Sequence, residues 1–253
     1  MKHLFKTLST LLLLLLVHTH SFAADKITVA AAANLRYVLE ELKQQYVKLH
    51  KGTQIDIVFG ASGTLTQQIV NGANFDLFLA ANTNFPEEVI NQGFGHGKSV
   101  VYCYGKVALW SMTLNVKKGI KATLENPKVT RIAIANPKLA PYGKNAVETL
   151  QKLGLYKNIE SKIVWGENIN QTAHFVSTGN AQVGFVALST ILAPEMKGKQ
   201  GNYYVLNNEE CAPIAQAGVV IKNKNTVLAQ AFLDYLLSDK AKPIWKKHGY
   251  ELK

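Results

Sequence analysis

The stretch "VFGASGTLTQQI", Val58–Ile69, decides the fold because it shows a strand that stops on glycine and leads directly into a helix. An apolar run ends at Gly60, and the apolar residues that follow recur at helical spacing. Ser62 lies in the turn, between Gly60 and Gly63, where two glycines allow a close approach to the backbone. Such a serine can be a nucleophile, part of an anion site or a helix cap.

The same strand–turn–helix unit recurs along the chain. "KITVAAA" precedes the helical pattern "NLRYVLEELKQQYVKLH", and "FDLFLAA" precedes "FPEEVINQG". A second series follows with the strands "RIAIANP", "KIVWGE" and "VGFVALS" and with helices that end at Gly154 and Gly179. Repeated β-α-β units predict an α/β protein with mostly parallel sheets and helices on both faces.

The two series predict a two-lobed fold with a cleft between the lobes. Two apolar strands, near Lys106–Trp110 and Ala215–Ile221, stand where the two units meet. We expect the chain to cross there between a first lobe of residues 24–107 plus 219–253 and a second lobe of residues 108–218. The first lobe is then discontinuous and closed by the C-terminal segment.

The N-terminus has the pattern of a secretory signal peptide. Lys2 and Lys6 precede the apolar run "LSTLLLLLLV", and Ser21 and Ala23 are small residues in front of Ala24. We predict residues 1–23 to be a signal peptide cleaved after Ala23. No second apolar run of spanning length follows, which predicts a soluble exported protein.

Charge and cysteine content narrow the functional classes. The net charge is +11, but the lysines are scattered and are not interleaved with stacking aromatics, which argues against nucleic-acid binding. Cys103 and Cys211 could form a disulfide after export or remain two buried thiols, and the sequence leaves both possibilities open. Two cysteines without clustered histidines predict no zinc site.

Four segments place a small or polar residue between a strand end and a helix start, and their chemistry suits a small anion. In open α/β sheets ligands bind at the carboxyl ends of strands, where first-turn N–H groups are free and the helix dipole is positive. Convergence of four such ends predicts a site for a compact dianion held by neutral donors. The segments are "AAANL", "GASGTL", "APYGKNA" and "ENINQT", and the candidate residues are Ala33, Asn34, Ser62, Tyr142, Ile169 and Asn170.

Other functions find less support in the sequence. The G-x-S-x-G nucleophile elbow fails because Thr64 occupies its fifth position, and neither His96 nor His174 has a recognisable partner motif. No phosphate loop and no paired carboxylates at strand ends are present. We therefore predict no catalytic residues, while Asn34 and Ser62 retain the simpler interpretation of helix N-caps.

The residues above resemble the periplasmic molybdate-binding proteins, which are substrate-binding components of ABC transporters. The resemblance extends over nearly the whole chain after residue 23. It rests on "FGASGTLTQQIVNGANFDLFLAAN", "YGKVALWS", "IAIANPKLAPYGKNAVETLQKLG" and "NINQTAHFVSTGNAQVGFVAL".

The resemblance implies the type II periplasmic-binding-protein fold, with molybdate or tungstate bound as a tetrahedral dianion. Asn34, Ser62, Tyr142 and either Ile169 or Asn170 match the family's donors, whereas Ala187 stands where one subgroup has a cleft tyrosine. The metal enters only as the oxyanion, and no cofactor is implied. The resemblance also implies a monomer in the periplasm whose partner is a membrane permease. Sulfate, thiosulfate and phosphate remain alternative ligands.

Overall fold

The computed structural model describes residues 25–223 and 225–252. The predicted signal peptide, residues 1–23, lies outside these described residues. The strands are β1 (Asp25–Ala32), β2 (Thr53–Gly60), β3 (Leu77–Leu79), β4 (Gly95–Gly105), β5 (Val107–Ser111), β6 (Ile132–Ala135), β7 (Ile163–Gly166), β8 (Val183–Ala187), β9 (Asn202–Val205) and β10 (Ile214–Ile221). The helices are α1 (Arg36–Leu49), α2 (Ser62–Val70), α3 (Asn84–Asn91), α4 (Ile120–Leu124), α5 (Pro141–Lys152), α6 (Tyr156–Ile159), α7 (Ile169–Ser177), α8 (Leu188–Ile191), α9 (Thr226–Leu237) and α10 (Lys242–Lys247), with 3-10 turns at Ala33–Leu35, Glu160–Lys162 and Pro194–Met196.

The strands form two five-stranded sheets of equivalent design. The first has the order β2-β1-β3-β10-β4, and the second has the order β7-β6-β8-β5-β9. In the first sheet only β10 runs against the other strands, and in the second only β5 does. This confirms the predicted two-lobed α/β fold, in which four of the five strands of each sheet run in one direction.

The helices bury the faces that their sequence periodicity predicts. In α1, Val38, Leu39, Leu42 and Tyr46 are buried, and they pack in the same core cluster as strand residues of the first sheet. Leu35, in the preceding 3-10 turn, is also buried and continues this face. Burial of one stripe of the helix holds it against the sheet.

The chain passes between the lobes over very short distances. Only Lys106 separates β4 of the first sheet from β5 of the second, and residues 206–213 lead back to the first sheet. The predicted boundary between residues 218 and 219 falls inside β10, all of which belongs to the first sheet. The difference arises because an apolar strand next to a lobe boundary has the same composition whichever sheet it joins.

Both cysteines are free thiols in this structure. Cys103 is buried in β4, and Cys211 is half-buried in the segment that leads to β10. Among residues 25–223 and 225–252 no helix combines the length and apolar character needed to cross a bilayer.

Candidate functional site

A small cavity lies between the lobes, where strands of both sheets end and the following helices begin. It is small and partly open to solvent, and the space between its lining atoms amounts to about 200 Å³. Its wall is formed by Ala32, Ala33, Asn34, Gly60, Ala61, Ser62, Ala81, Ala140, Pro141, Tyr142, Asn168 and Ile169. All four segments singled out in the sequence therefore contribute to one cavity. Five of the six candidate residues line it, and Asn170 does not.

In the first lobe, α2 begins at the cavity without a side-chain cap. Ala61 occupies the cap position, and Ser62 is the first helical residue, so Ser62 does not cap the helix. The Ser62 Oγ accepts a hydrogen bond of 3.0 Å from the backbone N–H of Ala81 and is almost fully buried. Because a hydroxyl both donates and accepts, its own proton is left to donate toward the cavity, together with the first-turn backbone N–H.

In the second lobe, α5 begins at the cavity with Pro141 at its first position. Proline has no N–H, so the first backbone donor of this helix is that of Tyr142. The helix lies very close to β6, because a Cβ placed on Gly143 would be 2.0 Å from the carbonyl oxygen of Ala135. Glycine at position 143 thus permits the approach that brings the start of α5 to the cavity.

The start of α7 is arranged differently, because a side chain caps it. The Asn168 Oδ1 accepts hydrogen bonds of 3.0 Å from the backbone N–H groups of both Asn170 and Gln171. The Asn170 side-chain amide donates to the carbonyl oxygen of Ala33 at 2.8 Å. The backbone N–H of Asn170 and one N–H of its side chain are therefore occupied, and Ile169 carries the first-turn N–H that the cap leaves available.

The end of β1 contributes a 3-10 turn in place of a helix start. Ala33 and Asn34 lie in this turn, and α1 begins only at Arg36. Asn34 does not cap a helix. Its Nδ2 donates to the Gln216 Oε1 and to the Tyr250 hydroxyl, each at 2.9 Å, and its Oδ1 is buried without a hydrogen-bond partner.

A buried polar network connects Asn34 to the second lobe. The Gln216 Nε2 donates to the Tyr142 hydroxyl at 3.0 Å, and Gln216 itself is fully buried in β10. The Tyr250 hydroxyl donates to the carbonyl oxygen of Asn34 at 2.9 Å and lies 3.1 Å from the Ser189 Oγ. Burial raises the pKa of the Tyr142 and Tyr250 phenols, so that both are neutral hydroxyl donors.

Hydrogen bonds across the cleft hold the lobes together around the cavity. The backbone N–H of Gly63 in α2 donates to the carbonyl oxygen of Leu139 at 2.9 Å. A Cβ on Gly63 would lie 3.1 Å from the Leu139 Cα, so glycine permits this contact. The bond from Asn170 to Ala33 closes the cavity from another side. The lobes thus contact each other beside the site through one backbone–backbone bond and one bond from a side chain to the backbone.

The cavity wall carries donors but no charged side chain. Its first-turn N–H groups, the Ser62 hydroxyl and the positive ends of helix dipoles favour an anion, and the apolar alanines exclude solvent from it. In the described residues no cluster of three or more His, Cys, Asp and Glu side chains could hold a metal cation. The arrangement therefore suits a small anion that brings its own negative charge.

The geometry gives no support to a nucleophilic Ser62. The Ser62 side chain contacts the Ala81 backbone, and His96 and His174 are exposed residues. Neither histidine lines the cavity. A larger recess beside Cys103 and Trp245 is lined by none of the six candidate residues.

Sequence reasoning missed three residues around the cavity, and two of them had a visible signal. Asn168 precedes a helical pattern at the preferred cap position, and Gln216 is the polar residue in the apolar strand "IAQAGVVI". Tyr250 had no such signal in the sequence, because no local pattern indicates that a residue near the C-terminus contacts the end of β1.

Comparison with known proteins agrees with this architecture. The family model described as bacterial extracellular solute-binding protein matches residues 27–251. The chain belongs to this family. Its members are transport proteins that bind solutes, which confirms the prediction that the chain is not an enzyme.

The chain is also similar to proteins whose names state a ligand. The chain is 35% identical to the molybdate-binding protein ModA of Rhodobacter capsulatus over 90% of this chain and 89% of the relative. It is 38% identical to the ModA of Azotobacter vinelandii over 90% and 91%. The solved structure of the Azotobacter vinelandii periplasmic molybdate-binding protein matches with a TM-score of 0.84 and 32% identity, covering 90% of this chain and 99% of that one.

Proposed function

We propose that the protein captures molybdate, and with similar strength tungstate, and delivers it to the membrane permease of an ABC transporter. The observation that carries this proposal is the convergence of neutral donors from both lobes on a cavity without charged side chains. The donors are the backbone N–H groups of Ala33, Ser62, Tyr142 and Ile169 and the Ser62 hydroxyl, with Asn34 beside them in the cavity wall. The names of the similar relatives support the same ligand.

A rigid set of such donors discriminates between oxyanions by size. Molybdate and tungstate are nearly equal to each other and larger than sulfate. A smaller anion that cannot reach every donor leaves buried N–H groups unpaired, which costs about 1–3 kcal/mol for each group. The proposal thus includes rejection of sulfate and no strong choice between molybdate and tungstate.

The short crossings between the lobes support capture by closure. Hinge motion at Lys106 and at residues 206–213 would open the cleft, and the bond between Gly63 and Leu139 would form on closure. The permease would then recognise the closed protein. We further propose that the protein works as a periplasmic monomer, without a cofactor and without binding nucleic acid.

Thermal unfolding with added oxyanions tests the proposal. A ligand that binds only the folded state at 100 times its Kd stabilises the protein by about 2.7 kcal/mol. We expect a clear rise in Tm with molybdate and tungstate and little change with sulfate or phosphate. Calorimetric titration should show one site per chain. Tight binding of sulfate or phosphate with none of molybdate would contradict the proposal and favour the alternative ligands.

A further inference from the structure

The amides of Asn34 and Gln216 form a pair with an incomplete hydrogen-bond pattern. In the arrangement described above, the Asn34 Nδ2 donates to Gln216 and Tyr250, while the Asn34 Oδ1 is buried without a partner. Gln216 donates to the Tyr142 hydroxyl, which leaves the proton of that hydroxyl without an acceptor in this network. An amide oxygen without a partner on a residue of the cavity wall is unfavourable toward an oxyanion, since both are acceptors.

Rotation of each amide by 180° exchanges its oxygen and nitrogen. This gives a second hydrogen-bond pattern at the same positions. The Tyr142 hydroxyl then donates to the Gln216 Oε1, and the Gln216 Nε2 donates to the Asn34 Oδ1. The Tyr250 hydroxyl can donate to the same Oδ1, while the Ser189 Oγ still donates to the carbonyl oxygen of Asn34. The Asn34 Nδ2 no longer bonds to Gln216 and Tyr250, and it takes the position that the unpaired Oδ1 had. Amide oxygen and nitrogen are nearly equal in size, so packing permits both patterns.

We propose that Gln216 is a positioning residue that makes Asn34 a donor to the bound oxyanion through this concerted turn of both amides. The inference rests on the proposed function and deepens it. With an anion present, the second pattern leaves neither the Asn34 amide nor the Tyr142 hydroxyl unpaired, whereas the first leaves both incomplete. Because Asn34 lies in the first lobe and Tyr142 in the second, the pattern is complete only when the lobes are closed.

The pattern also selects for the protonation state of the ligand. An Asn34 that donates favours fully deprotonated oxyanions such as molybdate. An Asn34 that accepts favours an oxyanion with an O–H group, such as hydrogenphosphate. Gln216 can donate to the Asn34 Oδ1, and a carboxylate at position 216 cannot. The residue at position 216 therefore determines which of the two anions the cavity prefers.

Neutron diffraction from crystals of the deuterated protein with molybdate tests the inference directly. We expect the Asn34 ND₂ group to face the anion, the Gln216 ND₂ group to face the Asn34 Oδ1 and the Tyr142 deuteron to face the Gln216 Oε1. If molybdate is bound but the Asn34 ND₂ group still donates to Gln216, the inference is overturned and the proposed function is not. Failure of molybdate to bind in calorimetry would overturn the proposed function and the inference with it.

Variants at position 216 provide a test in solution at pH 8, where molybdate and hydrogenphosphate are both dianions. Gln216→Glu should weaken molybdate binding about 100-fold, because Asn34 must then donate to the ionised carboxylate. The weak phosphate binding, measured by titration at high phosphate concentration, should change much less. Gln216→Met, which is similar in length and has no hydrogen-bonding group, should lose less than about 10-fold for molybdate. The matched control is Gln182→Glu, since the Gln182 Oε1 only accepts hydrogen bonds, from residues 130 and 131.

The outcomes separate positioning from charge and from packing. Repulsion by a new negative charge weakens both dianions equally, so equal losses in Gln216→Glu would overturn the inference. A loss in Gln216→Met as large as that in Gln216→Glu would show that the direction of the hydrogen bond between residue 216 and Asn34 does not set the affinity, which also overturns the inference. A ratio of molybdate affinity to phosphate affinity that changes only in Gln216→Glu supports the inference.

Discussion

The starts of α2 and α7 face the same cavity from opposite lobes, and they offer their donors in different ways. At α2 no side chain caps the helix, and the Ser62 hydroxyl supplements the first N–H. At α7 the Asn168 side chain occupies two N–H groups and leaves that of Ile169. The comparison teaches that a cap does not abolish an anion site. It determines which N–H remains available and holds the helix start in place.

The largest effect should come from changing the charge of the α7 cap while keeping its geometry. In Asn168→Asp the carboxylate still accepts from Asn170 and Gln171, so we expect stability to be maintained. Its charge lies in the cavity wall and repels a dianion, which should weaken molybdate binding by more than about 100-fold. Calorimetry measures the affinity and thermal unfolding the stability. Asn180→Asp, past the other end of α7, is the control, and an unchanged affinity in Asn168→Asp would contradict the proposed site.

The next largest effect should come from removing the backbone N–H of Ile169, which the cap leaves available. Proline is tolerated at the first position of a helix, so Ile169→Pro should fold while lacking this donor. A hydrogen bond to a charged ligand contributes about 1.5–3 kcal/mol, so the molybdate Kd should rise about 30-fold. Ile169→Val keeps the N–H and should bind nearly as the native protein does. Equal binding by the proline and valine variants would exclude Ile169 as a donor.

On the α2 side, removal of the Ser62 hydroxyl should have a smaller effect, because the backbone N–H of residue 62 remains. We expect Ser62→Ala to weaken molybdate binding about 10-fold and to lower the free energy of unfolding, since the Ala81 N–H loses its acceptor. Titration and chemical denaturation check the two effects separately. Ser177→Ala, at the exposed end of α7, should change neither. If Ser62→Ala binds like the native protein, the hydroxyl serves only Ala81.

The smallest effect concerns a contact in the first lobe, outside the cavity wall, between Glu41 of α1 and Lys247 and His248 at the end of α10. Burial alone would raise the pKa of Glu41, but hydrogen bonds from Lys247 and His248 outweigh it and lower the pKa. A lowered carboxyl pKa stabilises the fold above the unfolded-state value, and this contribution is lost as the pH falls through the folded-state value. Glu41→Gln should therefore cost less than about 1 kcal/mol at pH 7 and nothing in strong acid.

Denaturation curves of Glu41→Gln and of the native protein across this pH range measure that difference. Molybdate affinity at pH 7 should be the same in both. A stability difference that stays constant down to strong acid would contradict an ionic role for Glu41.

The sequence predicts the fold and most of the cavity wall because both depend on local patterns. Buried residues at helical spacing and small residues after each strand place four segments at the same ends of the sheets, as with Ser62 and Tyr142. The remaining features depend on contacts between distant segments. The proposed preference for Ile169 over Asn170 rests in part on the bond from Asn170 to Ala33 in the other lobe, and the sheet that β10 joins is not encoded in its own composition.

The partners of Asn34 illustrate the same limit. Gln216 and Tyr250 lie about 180 and 220 positions further along the chain and reach Asn34 only because the C-terminal part returns to the first lobe. An asparagine after four alanines predicts a helix cap, yet long-range hydrogen bonds here occupy its amide. Local propensity was outweighed by tertiary contacts.

The lack of carboxylate, amine and imidazole side chains in the cavity wall has a consequence for the conditions under which the protein can work. Amides do not titrate, and the phenol of Tyr142, with its raised pKa, keeps its proton in mildly alkaline medium. Proteins outside the cytoplasmic membrane meet the acidity of the surroundings without a cell's buffering. A cavity built in this way presents the same donors to its ligand from acidic to mildly alkaline water.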